Sequence, residues 1–172
     1  MIVAEADISE EWDSSTDWPA LIMRAAEAAI AGSRHARLAG SSIPVEISFK
    51  LTSDEEVHAL NRDYRSKDKP TNVLSFPMVH PDVLANAADG DDIELLLGDV
   101  VLAHGVCTRE ADERGIAVET HATHLAVHGT LHLLGYDHEV SDADAEEMEA
   151  IERRALAALG IADPYNLPLL QD

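Results

Sequence analysis

The sequence is poor in cysteine and positive charge, and it has no long apolar run. Cys107 is the one cysteine among 172 residues, so the chain has no internal disulfide framework and is typical of a reducing compartment. No apolar run approaches the roughly 20 residues that cross a bilayer, and the first residues lack the basic and apolar regions of a secretory signal. We therefore expect a soluble cytoplasmic protein in which Cys107 packs in the core rather than reacting.

Positive charge is scarce, because 12 Lys and Arg stand against 33 Asp and Glu, for a formal net charge of −21. Such a chain does not bind nucleic acid indiscriminately, since that requires the neutralisation of many phosphates. Four of the 12 cations nevertheless fall within eight positions, at Arg62, Arg65, Lys67 and Lys69. Either this cluster is a solvated helix end with cations near its negative pole, or it is a local patch that binds anions.

Length and composition predict a single domain over residues 1–172, because 46% hydrophobic residues can fill a sizeable core. The pattern predicts strand, helix, strand, helix, two strands and then three helices. This order is not a regular βαβ alternation. We therefore predict an α+β fold in which about five helices pack on a mixed sheet of about four strands.

Alternation, caps and helix breakers predict the individual elements. Strands are expected at 1–7, 45–50, 73–76 and 93–103, the last of them central in the sheet. Helices are expected from Trp18 after an Asp17 cap, from a cap at Thr52 or Ser53, over 104–114 and 118–134, and from a cap at Ser141 or Asp142 to Gly160. In the second helix Val57, Leu60 and Tyr64 are expected to face inward, and residues 80–92 are expected to form a surface loop.

The most informative stretch is His128-Gly-Thr-Leu-His-Leu-Leu-Gly-Tyr-Asp-His138. His128 and His132 are four residues apart and therefore share one face of a helix. Gly135 favours a helix end and a left-handed turn, which can return His138 over that end. Three imidazoles with an open fourth position are the pattern of catalytic zinc. We predict one zinc ion bound by His128, His132 and His138 at the end of this helix.

Two further histidines, His121 and His124, continue the same helical stripe. We interpret His121 as part of a structural seam. Because His138 returns near the turn of His132, we expect His124 to pack or to support a ligand rather than to bind the metal. Asp137 is also expected to orient a ligand histidine, in preference to acting as a base.

The spacing of the three histidines also matches that of the metzincin metalloproteases, with one large chemical difference. In those enzymes a glutamate follows the first histidine and takes the proton from zinc-bound water. Gly129 stands at that position here. Peptide hydrolysis by the metzincin route is therefore disfavoured, whereas metal-dependent hydrolysis of another substrate stays open.

The stretch from His128 to His138 resembles the signature of the YbeY family of metal-dependent endoribonucleases. A second block resembles the other strong motif of that family: Leu60-Asn-Arg-Asp-Tyr-Arg-Ser-Lys-Asp-Lys-Pro-Thr-Asn-Val-Leu-Ser-Phe-Pro77. Leu97-Gly-Asp-Val-Val101 and the acidic C-terminal helix also match in order and spacing. The resemblance covers roughly residues 43–165.

The resemblance implies an endoribonuclease specific for single-stranded RNA, which matures the 3′ end of small-subunit ribosomal RNA and acts in ribosome quality control. It implies zinc on the three histidines and a functionally important arginine at Arg65. The expected partners are single-stranded RNA and the small ribosomal subunit, with no DNA or membrane partner.

Arg65 suits this role because its planar guanidinium can bind two phosphate oxygens at once. Arg62, Lys67 and Lys69 are expected to bind the RNA backbone beside it. No residue is identified as the base, and attack by water and attack by the RNA 2′-hydroxyl both stay open. The alternatives are a hydrolase of another substrate and a non-catalytic ribosome-assembly factor with structural zinc.

Overall fold

A four-stranded mixed sheet organises the part of the chain that the computed structural model describes, namely residues 1–87, 91, 93–137 and 141–166. The strands are β1 (Ile2–Ile8), β2 (Val45–Thr52), β3 (Val73–Pro77) and β4 (Leu95–Ala103). Their order is β1-β2-β4-β3, in which β1, β2 and β4 run parallel and β3 is antiparallel to β4. The predicted α+β class is confirmed, and the apolar strand expected at 93–103 is an interior strand, β4.

Six α-helices and two short 3₁₀-helices lie in the described ranges. The α-helices are α1 (Trp18–Gly32), α2 (Asp54–Arg65), α3 (Pro81–Asn86), α4 (His104–Arg114), α5 (Val118–Leu133) and α6 (Asp142–Ala158). The 3₁₀-helices are Ala36–Gly40 and Pro164–Asn166. Asp17, Ser53 and Ser141 cap α1, α2 and α6 by accepting hydrogen bonds from first-turn N–H groups, as predicted. None of the helices in these ranges is long and apolar enough to cross a membrane.

Strand β4 divides the core, because its alternate side chains point to opposite faces of the sheet. Val100 and Leu102 belong to the main core, which lies between the sheet and helices α1, α5 and α6. Val101 and Ala103 pack on the other face, against Val57 of α2. The sheet is thus covered on both sides around β4, and its other interior strand, β2, also carries an apolar face into the main core.

Cys107 lies in the main core with no exposed surface. Burial raises the pKa of its thiol to about 12. The thiol is therefore neutral at physiological pH and inaccessible, which confirms the prediction that this cysteine packs rather than reacts.

One predicted inward position of α2 is wrong. Val57 is buried and Leu60 packs against the same cluster, but Tyr64 is 72% exposed and lies edge-on to Phe76. Asn61, which is 1% exposed, takes the last inward place instead. It does so because its amide group donates a 2.8 Å hydrogen bond to the carbonyl of Lys69, in the loop that follows the helix.

The loop expected at 80–92 begins with a helix, α3, and this part of the prediction is wrong. Pro81 occupies the first helical position, where its missing N–H costs nothing, and Nδ1 of His80 accepts from the N–H of Asp82 at 3.1 Å. Leu84 is fully buried and holds the helix on the core. This helix raises the count from the five expected to six, while residues 88–90 and 92 lie outside the described part.

Helix α5 lies so close to β4 at Gly129 that a side chain there has no room. A Cβ at Gly129 would lie 2.6 Å from Cγ1 of Val100. Val100 is buried and branched at its own Cβ, so it has little freedom to turn away. The glutamate that metzincin proteases carry at this position is therefore excluded by packing against the sheet.

We predict that Gly129→Ala lowers the free energy of unfolding by about 1–3 kcal/mol, because the added methyl group over-packs the contact with Val100. This loss exceeds the small gain that alanine brings to a helix. Urea denaturation measures the difference. Gly40→Ala is the matched control, since a Cβ there meets nothing within 4 Å, and its effect is expected to stay within about 0.5 kcal/mol. Equal stability of the two variants would contradict the close approach.

Candidate metal centre and cleft

His128 and His132 face each other across one turn of α5. Their Nε2 atoms are 3.0 Å apart, and the two rings are nearly perpendicular, at 81°. The other nitrogen of each ring has its own partner. Nδ1 of His128 lies 2.9 Å from Oε1 of Glu152, and Nδ1 of His132 lies 2.8 Å from the carbonyl oxygen of Tyr136. Each ring is thus oriented by a hydrogen bond on the side away from the other ring.

These partners determine where the ring protons lie. A carboxylate and a backbone carbonyl only accept, so both Nδ1 atoms donate, and Nε2 carries a lone pair wherever a ring holds no second proton. Two lone pairs 3.0 Å apart repel each other unless a cation or a proton lies beside them. Two imidazole nitrogens bound to one tetrahedral zinc ion lie about 3.3 Å apart. The two side chains therefore fit a metal ion.

The third predicted ligand, His138, lies outside the described residues. Among the residues that are described, no three His, Cys, Asp or Glu side chains are placed to hold a metal ion together. The turn towards His138 has the predicted form, because α5 ends at Leu133 and Gly135 has φ +99°. The set of three ligands stays a prediction, and two of its members lie together.

Glu152 of α6 is a central residue of this network, and it is absent from the site residues predicted from sequence. Its side chain is 1% exposed, and its second oxygen, Oε2, lies 2.7 Å from Nε2 of His124. Burial alone would raise the pKa of Glu152, but hydrogen bonds with His124 and His128 outweigh this effect and lower the pKa to about 2. One sequence signal indicates that Glu152 is buried. It lies four residues from both Met148 and Leu156, which are on the inward face of α6.

The two upstream histidines of the stripe pair with acidic residues. His121 is almost fully buried and lies 2.8 Å from Glu110. This agrees with the structural seam expected for His121. His124 supports Glu152, which in turn holds His128, and this matches the supporting role expected for His124. Burial lowers the pKa of His124, so it is a neutral donor to the carboxylate.

The histidine pair opens into a cleft of about 690 Å³. His128 and His132 line one side, and Arg65, Lys67 and Lys69 line it as well, together with residues of β3. The two motifs meet because β3 pairs with β4 and α5 packs against both strands. The cleft thus brings three cations beside the histidine pair.

Asp137 also lines this cleft. The Nδ1 atoms of His128 and His132 are held by Glu152 and by the Tyr136 carbonyl, and the orienting role expected for Asp137 at a ligand histidine stays a prediction.

The cationic loop is folded back onto the helix that precedes it. Ser66 ends α2 in the left-handed conformation, with φ 58°. The N–H of Lys67 then donates to the carbonyl of Asn61 at 3.1 Å, while the Asn61 amide holds the carbonyl of Lys69. One buried asparagine therefore fixes the backbone that presents both lysines.

Arg62 is not among the residues that line the cleft. Its Nε donates to Oδ1 of Asp63 at 3.0 Å, and both side chains are more than half exposed. The structure thus brings three of the four clustered cations to the histidines and leaves the fourth on the surface. We therefore leave Arg62 out of the proposed RNA contacts.

Comparison with known proteins gives the family of the chain. A family model described as Endoribonuclease YbeY matches residues 9–160. The chain belongs to the YbeY family. This family comprises endoribonucleases, enzymes that hydrolyse RNA phosphodiester bonds, so the resemblance carried by the two motifs is confirmed over most of the chain.

The YbeY relatives match along nearly their whole length. The endoribonuclease YbeY of Rhizorhabdus wittichii is 54% identical over 167 residues, which are 97% of this chain and 98% of the relative. That of Novosphingobium aromaticivorans is 55% identical over 163 residues, which are 95% of each chain. A Thermotoga maritima protein solved in solution shares the fold, with a TM-score of 0.54 at 22% identity over 95% of this chain and 98% of its own.

We predict that Glu152→Gln destabilises the protein by about 1–3 kcal/mol, because the amide brings a donor to a buried place already surrounded by donors. It should also weaken metal binding, with zinc as the probe, by about 10- to 100-fold through the loss of His128 orientation. Thermal denaturation and calorimetric zinc titration measure the two effects. Glu149→Gln is the matched control, since this glutamate lies on the same helix with a 38% exposed side chain. Similar losses in both variants would contradict the role of Glu152.

Proposed function

We propose that this YbeY-family endoribonuclease cuts single-stranded RNA at a zinc ion held by His128, His132 and His138. The observation that carries the proposal is the meeting of the facing histidine pair with Arg65 in one cleft. The pair supplies two ligands for a divalent cation, and the guanidinium suits the anionic phosphate of the substrate. Metal-assisted cleavage of an RNA phosphodiester uses both kinds of group, one to hold the metal ion and one to bind the phosphate.

Each group of the chain has a separate task in this proposal. A bound zinc ion would lower the pKa of its water towards about 7 or polarise a phosphoryl oxygen. Arg65 binds the oxygens of the scissile phosphate and stabilises the charge that develops there. Glu152 and the Tyr136 carbonyl keep the two histidine rings turned towards each other. Lys67 and Lys69 hold the neighbouring part of the RNA backbone.

The small number of cations in the cleft limits how tightly the chain alone holds RNA. Three cations engage only a few phosphates, and the net charge of −21 repels the rest of the strand. We propose that the small ribosomal subunit supplies the remaining binding energy. On this proposal the enzyme acts in the cytoplasm, on the 3′ end of small-subunit ribosomal RNA and in ribosome quality control.

We predict that Arg65→Ala lowers the rate of single-stranded RNA cleavage by about 100-fold or more, because a donor to the reacting phosphate is lost. Arg62→Ala removes the same charge from the same helix but outside the cleft, and it should leave the rate nearly unchanged. Cleavage of a labelled oligonucleotide by the purified variants measures both rates.

Two results would contradict this prediction. Equal losses in the two arginine variants would show that only the overall charge of the helix end matters. Undiminished cleavage by His128→Ala would show that the RNA is cut by a contaminating nuclease.

We predict that a chelator abolishes cleavage while the protein stays folded, since a metal held in an open catalytic site contributes little to the core. Circular dichroism and the cleavage assay follow the two properties during zinc removal and restoration. The rival function, an assembly factor with structural zinc, requires the opposite result. In that case chelation unfolds the protein, and variants of the three histidines still support ribosomal RNA processing in cells.

A further inference from the structure

The last described residues return to the histidine site. After α6 the chain turns at Gly160, with φ +77°, and enters the short 3₁₀-helix Pro164–Asn166. The hydroxyl group of Tyr165 donates a 2.6 Å hydrogen bond to Oε2 of Glu152. This contact links the C-terminal tail directly to the carboxylate that holds His128.

Tyr165 completes the set of donors to that buried carboxylate. Oε1 of Glu152 accepts from His128, while Oε2 accepts from both His124 and Tyr165. A buried anion needs each of these hydrogen bonds, because unmet acceptors are costly away from water. Since both oxygens belong to one rigid carboxylate, the group that fixes Oε2 also fixes the direction of Oε1 towards His128.

The position of Tyr165 is itself held by three contacts. Oδ1 of Asp163 accepts from the N–H of Tyr165 at 2.8 Å, and Oδ2 of Asp163 lies 3.0 Å from Nε of Arg153. The Arg153 guanidinium lies over the Tyr165 ring, 5.4 Å from its centroid, and the ring meets His124 edge-to-face at 5.7 Å. The segment 160–166 is therefore held by several contacts and not by one hydroxyl group alone.

We infer that Tyr165 is a positioning residue for the proposed metal centre, acting through Glu152 on the ring of His128. The effect of Tyr165 on RNA cleavage rests on the proposed function. Its effect on the orientation of the His128 ring does not, because the contacts are those of the protein without metal. The segment 160–166 thereby supports the proposed metal centre, although Tyr165 is not among the residues that line the cleft. The competing interpretation is that Tyr165 only anchors the tail to α6.

The test compares Tyr165→Phe with Tyr64→Phe. The first variant removes the hydroxyl group and keeps the ring against His124 and Arg153, so the fold should be retained. The second makes the same chemical change at a 72% exposed tyrosine that does not line the cleft. Long-range ¹H–¹⁵N spectra of the imidazole rings, recorded on metal-free protein, report the environment of Nδ1 of His128. We expect these signals to shift in Tyr165→Phe and to stay unchanged in Tyr64→Phe.

Calorimetric titration with zinc gives the second readout. We expect Tyr165→Phe to bind zinc about 10-fold more weakly than the parent, and to melt at a somewhat lower temperature because the buried Glu152 loses one donor. A shifted melting temperature together with unchanged His128 signals and unchanged zinc affinity would overturn the inference and leave Tyr165 as an anchor. If the parent protein itself bound no zinc, the proposed metal centre would fail. The imidazole spectra would then still decide whether Tyr165 positions His128.

Discussion

The arrangement of the C-terminal half depends on one buried anion, the carboxylate of Glu152. An ionised carboxylate in the core is tolerated only when its oxygens are fully hydrogen-bonded, and here the donors come from α5 and from the chain after α6. This requirement restricts the rotation and the sliding of α6 along α5, because a shift of either helix would separate donors from acceptor. The same requirement keeps Nδ1 of His128 turned towards Glu152, so that Nε2 faces His132. The packing of α6 on α5 and the orientation of the His128 ring thus depend on one residue.

The mixed sheet explains how a basic loop comes to lie beside these histidines in such an acidic protein. Strand β3 lies at the edge of the sheet and runs antiparallel to β4. The loop that carries Lys67 and Lys69 leads directly into β3. Helix α5 packs across β3 and β4 and presents its histidines to the same space. The strand order therefore brings three of the four clustered cations into one cleft. The acidic surfaces elsewhere do not attract phosphate. Attraction for RNA is local and short-ranged, since salt screens charges beyond about 8–10 Å.

The features that could be predicted from sequence are those that depend on local periodicity. The facing of His128 and His132 follows from a four-residue spacing on a helix, and the caps of α1, α2 and α6 follow from side chains beside the first turn. The sheet class followed from the order of apolar segments. The proximity of Arg65 to the histidines has no local signal and came only from the family resemblance.

Other features escaped prediction because they depend on packing between distant segments. Glu152 reads as one more acidic residue on a helix rich in glutamate, and only its burial between α5 and α6 distinguishes it. Tyr64 has the apolar spacing of an inward residue, yet Asn61 takes that place because the following loop needs its amide group. Helix α3 was obscured by its short length, although a proline at its first position was a signal.

The contact between Gly129 and Val100 bears on how enzyme chemistries can change during evolution. Two enzyme groups can share a histidine spacing, because that spacing requires only a helix that ends in a glycine turn. A glutamate after the first histidine needs, in addition, space between the helix and the sheet. In this chain Val100 of β4 occupies that space beside Gly129. A glutamate at position 129 would clash with Val100 unless α5 moved away from β4. Substitution of Gly129 alone would therefore not convert the nuclease into a protease.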